Sequence, residues 1–355
     1  MPYLTSLRGI AALIVVFFHI KHYFTSYVFG ISWVINNGYL AVDFFFVLSG
    51  FILAYTYHKN FKLLSTSEYF HFLVKRLARI YPLHLTMLIV FSVIPILLVL
   101  TGRDVDQNRF GLNALIAKLL LIDVWGMGDE FSWNVPSWSI SAEFAAYLMF
   151  PLIMFVGIRL SVRDAVVALG LLTLSIMLIF HQFGIESIGA GTSRLGIFRC
   201  VLEFSMGVTI FCIKQRLQNL HGTPSRLINY MALITFIVCA YLDLYNYLYV
   251  PLVFSSIILG MTGYYGVVHR FLETQWLILL GEISYSIYLT HYFIRDFLTM
   301  WLLKNDEVAS WAWIVLYILT TILFSLLTYK IVEVPSRAFL TKLLLRPRSV
   351  ISSTE

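Results

Sequence analysis

Charged residues are scarce in this 355-residue sequence. Asp, Glu, Lys and Arg make up 12% of it, whereas hydrophobic residues make up 59%. A soluble domain has roughly 25% charged residues, because its surface must be covered with polar groups. The mean hydropathy of +0.83 is also far above that of a soluble domain. The sequence therefore predicts an integral membrane protein, in which each intramembrane charge needs an explanation.

Cysteine is rare as well, and the pattern of cysteines excludes common redox and metal sites. Cys200, Cys212 and Cys239 lie in apolar segments without Cys-x-x-Cys or Cys/His spacing, so we interpret them as core residues. His22 follows His19 by three residues, but no third ligand can be identified and no metal is predicted. The net charge of +6 indicates membrane topology rather than nucleic-acid binding, because the basic residues are spread over loops.

The apolar runs are near 20 residues long, which predicts an all-α, polytopic membrane helical bundle of about ten transmembrane helices. No Ala-x-Ala cleavage site follows the first run, so we expect the first helix to be retained. Residues 112–124 are apolar but too short to cross, and we expect a re-entrant or outer-side helix there. The predicted spans cover residues 9–28, 38–57, 82–100, 137–157, 165–181, 196–213, 226–243, 250–268, 276–300 and 309–330.

An even number of spans places both termini on one side of the membrane. Most of the 25 Lys and Arg residues fall in the termini and loops on that side, so the positive-inside rule predicts cytoplasmic termini. We expect one transmembrane domain, residues 1–340, and a short basic cytoplasmic tail, residues 341–355. No internal repeat typical of an inverted-repeat transporter is evident.

The first helix carries two titratable groups, Arg8 and His19, on one face. They are eleven residues apart, which is about 1100° of helical rotation and a rise of roughly 16 Å. We expect Arg8 near one membrane surface and His19 about halfway across, on a slot for a long anionic ligand. The alternative is an arginine that snorkels to lipid headgroups and a histidine satisfied by a neighbouring helix.

A second group of arginines precedes the third span. Arg76 and Arg79 lie three residues apart, so on a helix both guanidinium groups could grip one phosphate group. Ordinary positive-inside charge would explain them equally well. Together with Arg8 at the same surface, they favour a phosphorylated cofactor.

Glu143, in the fourth span, is predicted to lie near the depth of His19. A buried carboxylate beside an imidazole would orient its tautomer and raise its basicity, as a general base requires. The alternative is that Glu143 pairs with an arginine and only fixes packing.

Other polar positions in the spans have structural explanations as well as functional ones. We expect Ser49 and Gly50 to serve helix packing, and Arg199 and Glu203 to form an intrahelical pair. Asp43 lies near the outer end of the second span, where a carboxylate is harder to explain.

The ninth span carries a polar seam, because its polar residues recur at spacings of four, three and four. The seam could bind sugar hydroxyls or hold the bundle together. Its members are Ser284, Tyr288, His291 and Arg295.

Taken in order, these motifs resemble those of the acyltransferase-3 family of bacterial inner-membrane O-acyltransferases. The resemblance covers residues 4–335, essentially the whole chain. It rests on Arg8 and His19, the DFFFVLSGF stretch from Asp43 to Phe51, Arg76-x-x-Arg79 with Tyr81-Pro82, Trp138-Ser139 with Glu143, Ser284-Tyr285 with Tyr288 and His291, and Glu333-x-Pro335.

The resemblance implies a multi-pass protein of the bacterial inner membrane that takes an acyl group, usually acetyl, from cytoplasmic acyl-CoA. The acceptor would be a hydroxyl of a glycan or lipid-linked saccharide at the outer face. Some members append an outer SGNH-type domain, which is not expected here. No oligomeric state is predicted.

The resemblance implies that His19 is the essential histidine, that Arg8 is its partner in the motif, and that Arg76 and Arg79 contact acyl-CoA. With the residue patterns above, we predict the following roles. The catalytic residues would be His19, Glu143 and Arg8. The acyl-CoA contacts would be Arg8, Arg76, Arg79 and Tyr81. The contacts to the acceptor would be Asp43, Trp138, Ser139, Tyr288 and His291.

The main hypothesis is that His19 acts as general base on the acceptor hydroxyl while acyl transfer occurs inside the bundle. An acyl-enzyme on His19 or Ser49 is less favoured, because no nucleophile elbow is present. The rival from another class is a transporter for a polar or anionic solute, and a weaker one is a non-catalytic lipid or glycan sensor.

Overall fold

The computed structural model describes residues 1–23, 29–63, 65–126, 132–217, 222–263, 265–303 and 310–345, which form a helical bundle without a β-strand. The helices in chain order are α1 (Pro2–His19), α2 (Phe29–Asn36), α3 (Ala41–Tyr57), α4 (Thr66–Phe91), α5 (Val93–Leu100), α6 (Gln107–Phe110), α7 (Leu112–Leu119), α8 (Trp138–Gly157), α9 (Val162–Gln182), α10 (Thr192–Arg216), α11 (Thr223–Tyr241), α12 (Val250–Met261), α13 (Val267–Leu272), α14 (Gln275–Glu282), α15 (Ser284–Leu302), α16 (Trp311–Thr328) and α17 (Val334–Leu344).

Every predicted span contains a helix, and the chain is a multi-pass membrane protein. In the described part of the chain, eight helical segments are long and apolar enough to cross a membrane, and nine if the bent pair α14 and α15 counts as one. The predicted span 250–268 contains the 12-residue helix α12, which is shorter than a typical span. The predicted all-helical bundle is confirmed, with fewer full-length spans than ten.

The first helix is displaced toward the N-terminus relative to the prediction. It begins at Pro2, because proline is well tolerated in a first helical turn, and it ends at His19. Residues 24–28 of the predicted span lie outside the described residues. His19 is therefore the last residue of α1 and not the middle of a span, which corrects the expected position along the helix.

Helices α3 and α10 cross in backbone contact at two glycines. A Cβ atom on Gly50 would lie 2.0 Å from the carbonyl oxygen of Phe204, and one on Gly207 would lie 2.0 Å from that of Val47. Small residues allow such close approach between membrane helices. The predicted packing role of Gly50 is confirmed.

The same pair of helices is joined by a buried ion pair. Arg199 on α10 donates to both oxygens of Asp43 on α3, from Nε at 2.6 Å and from Nη2 at 2.7 Å. The side chains are 2% and 0% exposed. The predicted pair of Arg199 with Glu203 is wrong, because the close crossing presents a carboxylate of α3 directly to the guanidinium fork.

A second buried cation fixes the segment after α7. Lys118 donates to Asp123 at 2.8 Å and to Ser137 at 3.1 Å, and its side chain is 1% exposed. The chain then reverses at Leu121, whose φ of 58° is positive, and Ser141 donates to the Leu121 carbonyl oxygen at 2.8 Å. The predicted short helix in residues 112–124 is thus only α7, tied back onto α8.

The chain after α16 continues into α17 through a π-helical turn, Tyr329–Glu333. Helix α17 packs against α4 and ends at Leu344. Residues 341–344, the predicted start of the tail, therefore lie inside a helix. Residues 346–355 of that tail lie outside the described residues.

The glycine crossing gives a direct test of the fold. We expect Gly207→Ala to lower the stability of the purified protein by about 1–3 kcal/mol, because its methyl group would overlap the α3 backbone. Thermal unfolding in detergent measures this effect.

The matched control is Gly170→Ala on α9, where an added Cβ meets no atom within 4 Å. It should be neutral or stabilising by up to about 1 kcal/mol. Equal melting temperatures for both variants would contradict the described crossing.

Candidate active site

A narrow cavity lies between α1, α3, α4, α8 and α15. Its interior of about 110 Å³ corresponds to several water molecules, so it is a slot and not an open channel. It brings together residues from distant parts of the chain. Its polar walls include Arg8, Ser49, Arg76, Arg79, Glu143 and Tyr147.

Three arginines face this cavity, as the sequence predicted for a phosphate-binding mouth. Arg76 and Arg79 lie one turn apart on α4, and Arg8 comes from α1. Arg76 donates from Nη2 to the hydroxyl of Tyr57 at 3.2 Å. Among the described residues, Arg8 and Arg79 form neither an ion pair nor a side-chain hydrogen bond. Their donors therefore remain available to an anion.

Backbone contact between α1 and α14 positions Arg8. A Cβ atom on Gly281 would lie 1.9 Å from the carbonyl oxygen of Thr5, and one on Gly9 would lie 2.7 Å from the Gly281 nitrogen. The chain then bends by 65° between α14 and α15. Because of this bend, the first turns of α15 contribute Ser284 to the cavity wall.

Glu143 lies inside the cavity beside a hydroxyl group. Ser49 donates to Glu143 Oε1 at 2.5 Å, so Ser49 has a polar partner on α8 in addition to its place in the helix crossing. The predicted pairing of Glu143 with His19 is wrong, because His19 contacts the Val15 carbonyl oxygen and His291 instead. Tyr147, one turn further along α8, also faces the cavity. Tyr147 was not among the predicted site residues, although its spacing of four from Glu143 indicated a shared face.

The far end of the cavity is closed by a hydroxyl pair. Ser139 Oγ lies 2.8 Å from the hydroxyl of Tyr288, and both residues line the cavity. The ring of Tyr288 is centred 6.0 Å from that of His291, which in turn is 4.9 Å from that of His19. His19 is therefore outside the cavity lining, separated from it by these two rings.

The two histidines form a hydrogen-bonded pair. His19 Nδ1 lies 2.9 Å from the Val15 carbonyl oxygen and 3.3 Å from His291 Nε2, and His291 Nδ1 lies 3.1 Å from the Ile287 carbonyl oxygen. A carbonyl oxygen only accepts, so this network assigns the proton of each neutral ring to Nδ1. His19 Nε2 then keeps a lone pair, as a general base needs.

Charged groups surround the histidine pair on the side away from the cavity. Arg295 donates to the His19 carbonyl oxygen at 3.3 Å, and its guanidinium group lies 3.7 Å from the ring centre of Tyr292. Asp296 accepts from Arg295 at 2.6 Å and also from Arg109. The predicted polar seam of α15 thus runs from the cavity at Ser284 to this cluster.

Three residues expected at the site have other partners. The Tyr81 hydroxyl donates to the Leu119 carbonyl oxygen at 3.1 Å, and Tyr81 does not line the cavity. Trp138 packs against the Arg199 guanidinium group at 5.5 Å. Asp43 is fully buried in the pair with Arg199. Each of the three thus has a structural contact, and their expected roles in binding the cofactor or the acceptor stay predictions.

A wider cleft of about 500 Å³ adjoins the cavity at its arginine end and shares Arg76 and Arg79 with it. It adds Lys75, Arg337 and Lys342. The sequence analysis treated these last cations only as loop charge, because the contact of α17 with α4 has no local sequence signal.

Residues 1–330 match the acyltransferase domain profile of the acyltransferase-3 family. The chain belongs to this family. It is a multi-pass membrane protein of this family, and the resemblance stated from its motifs is confirmed. No solved structure matches the chain.

Two named relatives illustrate the likeness. Acyltransferase MdmB of Streptomyces mycarofaciens is 36% identical over 161 residues, which cover 43% of this chain and 38% of MdmB. O-acetyltransferase OatA of Staphylococcus aureus is 24% identical over 365 residues, which cover 95% of this chain and 57% of OatA. The chain thus spans less than two thirds of the length of either relative.

A substitution can distinguish a structural role of Asp43 from the expected contact with the acceptor. We expect Asp43→Asn to destabilise the protein by about 3–5 kcal/mol, because it leaves the Arg199 charge buried without its partner. The midpoint of thermal unfolding in detergent reports the change. Asp104→Asn, at an exposed position, is the control and should leave the midpoint unchanged. An Asp43→Asn protein of normal stability but without activity would restore the acceptor role.

Proposed function

We propose that this acyltransferase transfers an acyl group, most simply acetyl, from acyl-CoA to a hydroxyl of a glycan or lipid-linked saccharide. The observation that carries the proposal is the set of Arg8, Arg76 and Arg79 around one narrow intramembrane slot, two of them without an ion pair or a side-chain hydrogen bond among the described residues. Guanidinium groups bind phosphate oxygens in a bidentate geometry, and coenzyme A carries phosphates at one end of a slim arm.

The proposed orientation follows from charge. The arginine end of the cavity carries the basic cleft with Lys75, Arg337 and Lys342, and clustered basic residues favour the cytoplasmic side. That side is also where acyl-CoA is available. In the bacterial inner membrane, both termini would then be cytoplasmic, and the histidine pair would face the outer side.

The separation of the arginines from the base suits the donor. Arg8 and His19 are separated by a rise of roughly 16 Å along α1, which is of the order of the phosphopantetheine arm. With its phosphates at the arginines, the arm would pass Ser49 and Glu143 and bring the thioester toward Tyr288. The acceptor would approach His19 from the opposite side.

In this arrangement His19 is the general base. Its Nε2 takes the proton of the acceptor hydroxyl as the oxygen bonds to the carbonyl carbon, the carbon–sulfur bond breaks, and the leaving thiolate of coenzyme A takes that proton back from His19. The cationic ring formed on His19 keeps its Nδ1 proton between two acceptors, the Val15 carbonyl oxygen and His291 Nε2. These acceptors stabilise the charge that develops.

The likeness to OatA supports oxygen as the acceptor atom, since that relative is an O-acetyltransferase. Family membership favours an enzyme over the transporter or sensor that the sequence also allowed. The polar seam of α15 supports a hydroxyl-rich acceptor, because it offers Arg295 and Asp296 beside the base.

The role of His19 is tested by substitution. We expect His19→Ala to reduce O-acylation of surface glycans by about 10²- to 10⁴-fold, as the loss of a general base does. Mass spectrometry of glycans from cells with wild-type or variant protein measures acyl group and acceptor together. His22→Ala, at an exposed position three residues away, should behave as wild type. Undiminished acylation by His19→Ala would contradict the proposal.

The donor is tested by binding. We expect coenzyme A at 100 times its Kd to stabilise the wild-type protein by about 2.7 kcal/mol. Arg79→Ala should weaken binding by about 1.5–3 kcal/mol, the worth of a hydrogen bond to a charged group. Thermal unfolding at increasing coenzyme A concentrations gives both values.

The control is Arg163→Ala on α9, where the arginine side chain is 89% exposed. Coenzyme A should raise the melting temperature of this variant as much as that of the wild-type protein. A wild-type melting temperature that coenzyme A does not change would remove the support for this donor.

A further inference from the structure

The wide basic cleft beside the slot has no role in acyl transfer as proposed so far. It lies between α4 and α17, and every ionisable side chain among the described residues that line it is cationic. Its cations are Lys75, Arg76, Arg79, Arg337 and Lys342. The positive charges that line one concave surface repel each other. A ligand with more than one negative charge would relieve this repulsion, so the cleft is suited to such a ligand.

The cleft and the slot share part of their lining. Arg76 and Arg79 line both, and Arg79 and Arg337 also line a third space together with Arg8, Glu282 and Glu333. The slot and the cleft differ in volume, with interiors of about 110 Å³ and about 500 Å³. A ligand that occupies both has a small end, a larger end and phosphates near the shared arginines.

The position of α17 is fixed by buried contacts. Ser286 on α15 donates to Glu333 Oε2 at 3.0 Å, and Glu333, at the end of the π-helical turn, is 1% exposed. Arg337 follows one turn later and is directed to the cleft. Single-turn π segments often mark functional sites. Here the turn places a cation of the last helix against the arginines of α4.

We propose that this cleft binds the 3′-phosphorylated adenosine end of the donor, an inference that rests on the proposed use of acyl-CoA. The shared Arg76 and Arg79 hold the pyrophosphate, and the cations that only the cleft contributes, Lys75, Arg337 and Lys342, bind the 3′-phosphate. The cleft is then a specificity site. It selects acyl-CoA over thioesters that carry the same acyl group on pantetheine without a nucleotide.

Anionic lipid headgroups share the phosphate chemistry that this cleft recognises. They differ from coenzyme A in needing no 3′-phosphate and in being supplied by the bilayer. A test must therefore vary the nucleotide and the lipid separately.

The experiment compares Kd values of coenzyme A and 3′-dephospho-coenzyme A for the full chain in nanodiscs of phosphatidylcholine only, so no acceptor is needed. We expect wild-type protein to bind coenzyme A roughly tenfold more tightly, about the effect of one charge-assisted contact. Arg337→Ala and Lys342→Ala should each raise the Kd of coenzyme A to nearly that of 3′-dephospho-coenzyme A. Neither substitution should change the Kd of 3′-dephospho-coenzyme A much.

The variants provide internal controls. Lys342 is exposed, so its substitution should not disturb folding even if that of Arg337 does. Lys59→Ala removes an exposed cation outside the cleft and should keep the tenfold preference. A rise of salt concentration should weaken binding of coenzyme A more than that of the dephospho form.

The opposing outcomes are distinct. Equal Kd values of the two ligands for wild-type protein would overturn the cleft proposal and leave acyl-CoA as donor. Absence of binding of both would overturn the donor and the cleft together. Variant effects that occur only when phosphatidylglycerol is added, without a preference for the 3′-phosphate, would assign the cleft to lipid headgroups.

Discussion

The free-energy cost of burying charge among apolar helices is the constraint on which this structure depends, and it separates the charged residues into two groups. Arg199 and Lys118 are almost fully buried, and each is matched by a carboxylate, Asp43 or Asp123. These pairs tie α3 to α10 and α7 to the segment that follows it. Arg8 and Arg79 have no such partner in the described part of the chain, and they face the slot instead. The first group maintains the bundle, while the second is available to a ligand.

The site itself is divided between two walls. The slot holds the cations, the Ser49–Glu143 hydrogen bond and the Ser139–Tyr288 pair, whereas His19 and His291 lie behind the Tyr288 ring. This separation is suited to a reaction whose two substrates arrive from opposite sides of a membrane. A donor arm can enter from the arginine end while the base remains on the acceptor side. The Tyr288 and His291 rings lie between the two compartments, so the proposed transfer requires the acceptor hydroxyl to contact both His19 and the thioester.

Much of this arrangement could be predicted from local sequence. Hydrophobic runs indicated the helices, and the three-residue spacing of Arg76 and Arg79 indicated their common direction. The predicted pairings were wrong where a polar side chain could contact groups on more than one helix. Glu143 and His19 were predicted to pair because both were expected at the same depth in the membrane. Helix α1 ends at His19, so His19 lies at a helix end and not in the middle of a span. Arg199 was assigned to its own helix for a similar reason.

The sequence by itself determined that the chain is a membrane bundle, that its family motifs are in order, and that its rare intramembrane charges matter. These properties depend on hydropathy and short-range periodicity, which are local. Only the tertiary structure decided which charges are paired, because pairing across helices depends on crossings such as that of Gly50 with α10. It also brought Arg337 of the last helix beside Arg79, since a contact between distant segments is set by the packing of the whole bundle and leaves no trace in local spacing.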